Sequence, residues 1–337
     1  MEYDHYIGLD WSQRVMAISR LGKTGGTPKT QEVDSSVRDL KTYLSGLRGK
    51  KILTLEESSA SQWLYVELLD SVDELIVCDP YRNRLLSEGP KTDRLDAEKL
   101  CRLLRAGMLK PVFHTTDNFI EIRKLVSGYN DLIQAGVRLK NQRSALFLSK
   151  GKNAKTDELN SKFDQFVLDG LERGIEAYEL EKERYEKAFL QLSKEHRFIK
   201  ALQTIPGFGP INATKFAAIV VDPQRFQTRS GFLSYCGLIQ LEKMSGGRSY
   251  GKKKSRYNRA MKAVIKSAAI TAITGKNPFR NRYEFLLKEK NYPPHNARHA
   301  IARAIASVAL AVMQKERDFD AGRFKCSQVT TTPIGIA

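Results

Sequence analysis

Lys91-Thr92-Asp93-Arg94-Leu95-Asp96-Ala97 sets two carboxylates three residues apart at the predicted start of a helix. That spacing puts both on one face of the first turn. Ala97-Glu98-Lys99-Leu100-Cys101-Arg102-Leu103-Leu104 continues the helix, with apolar side chains returning at helical spacing. A single Asp there is an ordinary helix-start residue, favoured by the macrodipole. Two on one face, just after the break at Gly89-Pro90, read as half of a divalent-metal site.

The other half is sought upstream. Tyr6-Ile7-Gly8-Leu9-Asp10 reads as a short buried strand ending in an acid, and Val15 to Ser19 as a second strand. Gly22 to Lys29 is a turn-rich connection, and Ser35 to Leu47 a helix carrying Val37, Leu40, Tyr43, Leu44 and Leu47. Lys51-Ile52-Leu53-Thr54-Leu55 is another strand, running straight into Glu56-Glu57-Ser58-Ser59. A helix from Trp63 to Leu69, a strand from Glu74 to Cys78 and the break Asp79-Pro80 follow. Strands alternating with helices predict an α/β domain with helices covering a sheet.

Acids at the ends of buried strands are costly unless something compensates them. Taken singly, Asp10 reads as a turn cap and Glu56 as a side chain reaching solvent. Together with Asp93 and Asp96 they form a set placed strand, strand, helix, helix, which can converge at one edge of a sheet. Glu57 is the neighbouring alternative to Glu56, and successive strand residues face opposite sides, so the two are not equivalent. Oxygen-only ligands suit Mg²⁺ or Mn²⁺, and a two-metal cluster would stabilise both oxygens of an in-line phosphoryl displacement.

The 337 residues suffice for two or three domains with real cores. No run approaches the ~18 apolar residues of a membrane span, and the polar start Met1-Glu2-Tyr3-Asp4-His5 is not a signal peptide. A cytoplasmic protein without membrane contact is the expectation. The four cysteines, Cys78, Cys101, Cys236 and Cys326, lack paired metal-ligand spacing and predict reduced thiols. Net charge is +18, and it is segregated. Residues 1–198 carry 32 Lys and Arg against 31 Asp and Glu, whereas residues 199–337 carry 24 against 7. A basic half of that kind attracts a polyanion and binds it through counterion release, so nucleic acid is the favoured partner.

Residues 113–198 read as mostly helical. Leu125, Leu132, Leu139 and Leu146 recur every seven residues, but the intervening Tyr129, Gly136 and Arg143 are poor zipper positions. After a loop at Gly151 to Lys155, a second stripe runs Leu171, Ile175, Tyr178, Lys182, Tyr185, Phe189 and Leu192. The two stripes pair either within the chain or between subunits. Leu202 to Ala213, with Ile205-Pro206-Gly207-Phe208-Gly209-Pro210, resembles a helix-hairpin-helix. There Gly207 and Gly209 allow a tight turn, and the next helix offers free N–H groups to a phosphate. Such contacts grip the backbone without reading sequence.

Lys243 to Lys262 holds eight Lys and Arg and no acid: Lys243, Arg248, Lys252, Lys253, Lys254, Arg256, Arg259 and Lys262. Inside it lies Met244-Ser245-Gly246-Gly247-Arg248. Alone, Ser-Gly-Gly reads as a plain flexible loop and the cations as a phosphate grip. A serine on so uncrowded a backbone is also free to approach a phosphodiester, with cations near to stabilise developing charge. His295 and His299 sit four apart without a third ligand and read as cap or packing residues.

Asp10 in Ile-Gly-Leu-Asp, Glu56 in Leu-Thr-Leu-Glu, and Lys-Thr-Asp-Arg-Leu-Asp-Ala with Asp93 and Asp96 resemble the DEDD transposases of bacterial insertion sequences. That family includes Piv-type DNA invertases and the bridge-RNA-guided serine recombinases. Gly237-Leu238 followed by Ser245-Gly246-Gly247-Arg248, Gly251 and Asn258-Arg259 resembles its second, transposase domain. Two departures stand out: many members carry a second serine where Met244 stands and a glycine where Tyr257 stands.

The resemblance implies an α/β plus α chain. Residues 1–112 would form a RuvC-like (RNase H-type) domain holding Mg²⁺ on Asp10, Glu56, Asp93 and Asp96. Residues 113–198 would form a helical or coiled-coil spacer. A basic, mainly helical transposase domain would span 199–325 with Ser245 as nucleophile, and 326–337 would be a disordered tail. It further implies double-stranded DNA as substrate, a structured noncoding guide RNA, a homodimer or tetramer, and a nucleoid-associated protein of the bacterial cytoplasm. The rivals are a RuvC-type endonuclease using water, a site-specific DNA invertase, and a non-catalytic nucleic-acid-binding protein.

Overall fold

The computed structural model describes residues 2–81, 92–116, 119–254 and 256–324, without the side chains of 241 and 254. The Gly89-Pro90 break, Lys91, Ser255, Cys326 and the tail from 326 lie outside these residues. The chain divides into two compact units, Met1–Asp117 and Asn118–Ala337.

The first unit is a five-stranded mixed sheet with strand order β3-β2-β1-β4-β5. β1 (His5–Trp11) and β2 (Val15–Gly22) form an antiparallel pair, extended on the far side of β2 by β3 (Lys29–Asp34). On the other side β1 runs parallel to β4 (Lys51–Glu56), and β4 parallel to β5 (Glu74–Cys78). This order, with helices on both faces, is consistent with the expected RNase H-type domain. β3 corrects the sequence reading, which ended a turn-rich connection at Lys29 and recognised no strand before the helix. Lys29-Thr30-Gln31-Glu32-Val33-Asp34 is a polar edge strand with no buried run to betray it; its neighbour's Ser19 meets Thr30 through hydroxyls 3.0 Å apart.

Residue parity along the strands decides which helix each side chain meets. Ile7, Leu9, Leu53 and Leu55 point to one face, where they bury against Leu40 and Leu44 of α1 (Val37–Ser45) and Leu64 and Leu68 of α2 (Ser61–Leu68). Tyr6 and Ile52 point to the other, against Leu100 and Leu104 of α3 (Asp93–Arg105). Gly8, Asp10, Thr54 and Glu56 share that second parity.

The second unit is built largely of helices, with one two-stranded sheet among its described residues. α4 (Phe119–Leu148) and α5 (Lys162–Glu195) pack together as a hairpin within the chain. Of the two pairings left open by the sequence, the intramolecular one is present. The buried positions of α4 are Phe119, Ile122, Val126, Tyr129, Gly136 and Phe147 rather than the leucine heptad, whose members are only half-buried. The positions judged poor for a zipper make the contacts. Tyr129 packs edge-on to Phe189 at 5.1 Å, Gly136 receives the Tyr178 ring, and Arg143 reaches Glu172 at 2.7 Å.

Beyond the hairpin come α6 (Arg197–Gln203), α7 (Pro210–Val220), α8 (Arg229–Tyr235), α9 (Arg259–Ala272), α10 (Pro278–Lys288) and α11 (Pro294–Lys315). α11 is rich in alanine and buries Ile301, Ile305, Leu310 and Met313, so it packs closely against α6, α8, α9 and α10. Between α8 and α9 stands an antiparallel hairpin of β6 (Gln240–Ser245) and β7 (Arg248–Lys254).

Candidate functional site

Asp10 lies one residue beyond the paired Leu9 and Leu55, and Glu56 one residue beyond on the adjoining parallel strand. Their parity points both toward α3. Thr92 caps that helix, its hydroxyl accepting from the Leu95 N–H at 3.3 Å, which starts the helix so that Asp93 and Asp96 fall in its first turn. Gly8 lets the helix approach: a Cβ there would stand 2.3 Å from the Ala97 carbonyl oxygen and 2.6 Å from the Cys101 amide nitrogen. The Cys101 thiol reaches the Tyr6 carbonyl oxygen at 3.1 Å in the same contact. Helix α3 therefore lies backbone-to-backbone on β1, and its acidic end comes to the edge where Asp10 and Glu56 emerge.

The acids feel one another there. Burial, then the charges of Asp93, Asp96 and Glu56, push the Asp10 carboxyl from the ordinary carboxylate range up to about 6. Glu57 is exposed past the end of β4, and its N–H donates to the Cys78 carbonyl at 3.0 Å. Asp96 also meets Lys99 at 3.3 Å. Among the described residues no three acid, histidine or cysteine side chains close into a group able to hold a metal ion. Asp93, Asp96 and Glu56 instead act on Asp10 through their negative charge. An all-carboxylate donor set whose central member resists ionisation suits a hard divalent cation, whose charge would relieve that repulsion.

The second group of predicted residues lies in the other unit. Ser245 is the last residue of β6 and pairs directly with Arg248, the first of β7. Gly246 and Gly247 form the two-residue turn between them, with φ of 53° and 75°. Positive φ at both central positions is the signature of a type I′ turn, whose twist matches the strands it joins. The flexible loop expected from Ser-Gly-Gly is therefore a tight hairpin turn, and an otherwise helical region holds a β element. Sequence offered a signal in the paired glycines, but no alternating apolar strands beside them to complete it.

The described side chains of the hairpin are exposed, Lys243, Arg248, Lys252 and Lys253 included, with Arg256 and Arg259 exposed beyond it. The Lys254 side chain lies outside the described residues. Gly207 and Gly209 sit in the α6–α7 turn but serve differently. Gly207 has φ of 96°, and a Cβ on it would stand 2.2 Å from the Ala268 carbonyl oxygen of α9. Gly209 is exposed at the N-cap of α7, with open space where its Cβ would be.

Residues 7–150 match the family model of the DEDD transposase domain of the IS110 type. That match takes in the sheet, its acids and α4. Residues 199–284 match a second model, that of the transposase IS116/IS110/IS902 family, which spans α6 through most of α10. The chain thus carries the IS110-family DEDD transposase domains. It is also similar to the protein named "Putative transposase y4qE" of Sinorhizobium fredii (strain NBRC 101917 / NGR234), with 23% identity over 253 residues. That similarity spans 72% of this chain and 64% of the relative's length. No helix among the described residues is long and apolar enough to cross a membrane.

Proposed function

We propose that this chain is an insertion-sequence transposase of the IS110 family that exchanges DNA strands through a serine-linked intermediate. The observation that supports the metal-dependent part of the reading is that Asp10 and Glu56 end adjoining parallel strands on the face toward α3, whose first turn carries Asp93 and Asp96, with the Asp10 carboxyl held above its ordinary range by burial and by these acids. A non-catalytic binder of nucleic acid gains nothing from a crowd of carboxylates that repels phosphate.

In this reading Asp10, Glu56, Asp93 and Asp96 would hold Mg²⁺ or Mn²⁺, which when bound supplies positive charge to the phosphoryl oxygens of an in-line displacement. The chain's own residues do the rest. Ser245 presents its hydroxyl at the tip of a stiff turn, and Arg248, its cross-strand partner, holds a guanidinium where it can take a phosphate oxygen in a fork. The Oγ–P bond forms as the bond from phosphorus to one deoxyribose oxygen breaks, and the hydroxyl proton passes to that leaving oxygen. Attack by a new sugar hydroxyl reverses the step, freeing Ser245, so phosphodiester bonds are conserved and no water is consumed. Gly209 at the start of α7 and Lys243, Lys252, Lys253, Arg256 and Arg259 would grip backbone phosphate, with residues 113–198 as a helical spacer in a dimer or tetramer. A structured noncoding RNA would choose the sites.

The test is to purify the full chain with whatever nucleic acid accompanies it, sequence bound RNA, and assay Mg²⁺-dependent strand exchange with it. Ser245→Ala should abolish both exchange and the covalent protein–DNA adduct. A second reading, a RuvC-type endonuclease using water, draws on the same hairpin. The turn by itself accounts for Gly246 and Gly247, and Ser245 would then be only a turn flank. On that reading Ser245→Ala still cuts DNA.

A further inference from the structure

Helix α9 is divided cleanly between two faces. Met261, Val264, Ile265, Ala268 and Ala269 are buried, and Gly207 and α11 pack against that side. The opposite side carries Arg259, Lys262 and Lys266, which line a shallow open groove of about 790 Å³ running on to Thr271. At a rise of ~1.5 Å per residue the cations span ~10 Å along the axis. α11 adds to the same field: the His299 imidazole is held below its ordinary range by desolvation and by Arg303, Lys262 and Lys266.

Among the described residues no carboxylate lies within ion-pair distance of Arg259, Lys262, Lys266 or Arg303. On the α4–α5 hairpin the pattern is the reverse, with Lys140 meeting Glu179, Lys182 meeting Glu179 and Glu186, and Lys187 meeting Glu183. A charged helix that needs only solubility is served by such pairs. Like charges held together on rigid packed helices repel, and an external polyanion relieves them.

We propose that the α9 face formed by Arg259, Lys262 and Lys266, with Arg303 of α11 beside it, is a track for the sugar–phosphate backbone of double-stranded DNA, separate from the Ser245 hairpin. Charge favours phosphate, and the spacing along α9 favours two successive phosphates of one strand. The aromatic groups favour a duplex over splayed bases. Among the described residues, Tyr257 is the aromatic one lining the groove. Its ring is already engaged, packing against Gly237 and taking the Lys262 ammonium 4.4 Å from its centroid. Stacking platforms for single strands need free rings. The proposal rests on the transposase reading for its choice of DNA, but its test does not use the reaction.

The test measures affinity of the full chain for a random-sequence DNA duplex across a salt series, with EDTA present so that no strand is cut. In Lys262→Gln/Lys266→Gln the slope of log affinity against log salt should become shallower by about 2, with roughly uniform weakening across sequences. Lys262→Arg/Lys266→Arg should restore it, and Lys140→Gln/Lys187→Gln should leave it unchanged. An unchanged slope in the first variant, with an unchanged melting temperature, overturns the proposal. So does an equal loss in the α4–α5 control, or a loss confined to duplex RNA. A chain that grips DNA through α9 yet never exchanges strands would refute transposition and leave this surface standing.

Discussion

Gly8 of β1 and Ala97 of α3 meet so closely that a Cβ on the glycine would stand 2.3 Å from the alanine's carbonyl oxygen. The two closest obstacles are backbone atoms, since the Cys101 amide nitrogen lies 2.6 Å away, and the Leu100 Cβ at 3.0 Å is fixed to its backbone. No rotamer change can make room, so a methyl group at position 8 must push the helix off the sheet. Two residues further along the strand is Asp10, and at the near end of the helix are Asp93 and Asp96. The contact therefore sets the spacing of the acids.

Gly8→Ala is expected to destabilise the first unit by about 1–3 kcal/mol, as overpacking of a close contact does. It should also weaken Mg²⁺ binding although no ligand is changed. Thermal melts with and without Mg²⁺ read both effects; a variant with the parent's melting temperature and metal response would show that α3 is not held by this contact.

Asp10 gives a pH prediction whose sign is fixed. In the unfolded chain an Asp titrates near ~3.9, and in the metal-free fold Asp10 is pushed up to about 6. Between those values the native state holds the extra proton. The unfavourable contribution is thus absent at low pH, grows as pH rises through this window, and is complete above it. Asp10→Asn should stabilise the metal-free protein near neutral pH by about 1–2 kcal/mol, after allowance for solvent screening at a half-buried position. Denaturation curves in EDTA on either side of the window check this, and equal stability of the two proteins at neutral pH would count against a repulsive cluster.

Divalent binding should follow the opposite course. A proton on Asp10 competes with the cation, so Mg²⁺ affinity should fall as pH drops through about 6. Titration calorimetry across that range measures it, and Asp10→Asn should remove most of the binding. Affinity indifferent to pH would point to ligands other than these acids.

The Ser245 hairpin separates side chain from backbone. Ser245→Ala should fold and melt like the parent, because the residue is exposed, while forming no covalent adduct with DNA. Gly247→Val should break the turn instead, since a β-branched residue at φ of 75° costs roughly 1–2 kcal/mol. An adduct still trapped with Ser245→Ala would end the serine mechanism.

In the helical hairpin, a Cβ on Gly136 would stand 2.3 Å from a carbon of the Tyr178 ring. Gly136→Ala should cost about 1–3 kcal/mol as the ring is forced from its seat, and Gly136→Ala/Tyr178→Leu should recover part of it. A double-mutant cycle in urea decides; additive effects would mean that the two residues do not pack together.

Local chemistry was legible from the chain alone. The paired acids at the start of α3 and the apolar cores of β1, β2, β4 and β5 depend on residues close in sequence. So does the charge segregation, which is a property of composition. The polar edge strand β3 was not legible, because an edge strand buries little and leaves no hydrophobic pattern. The Ser-Gly-Gly turn was half legible. Its glycines announce positive φ, but strands of Lys, Ser and Gly carry no alternation to show that they pair.

Tertiary structure alone decided which side chains meet. Sequence named Asp10, Glu56, Asp93 and Asp96, but strand parity and the bare backbone of Gly8 bring them to one edge, across more than eighty residues of chain. Sequence likewise offered a leucine heptad for α4, whereas the packing buries Gly136 beneath the Tyr178 ring and Tyr129 against Phe189. Hydrophobic spacing reports the period of an element. Which of its faces is buried, and against what, depends on contacts made by residues far along the chain.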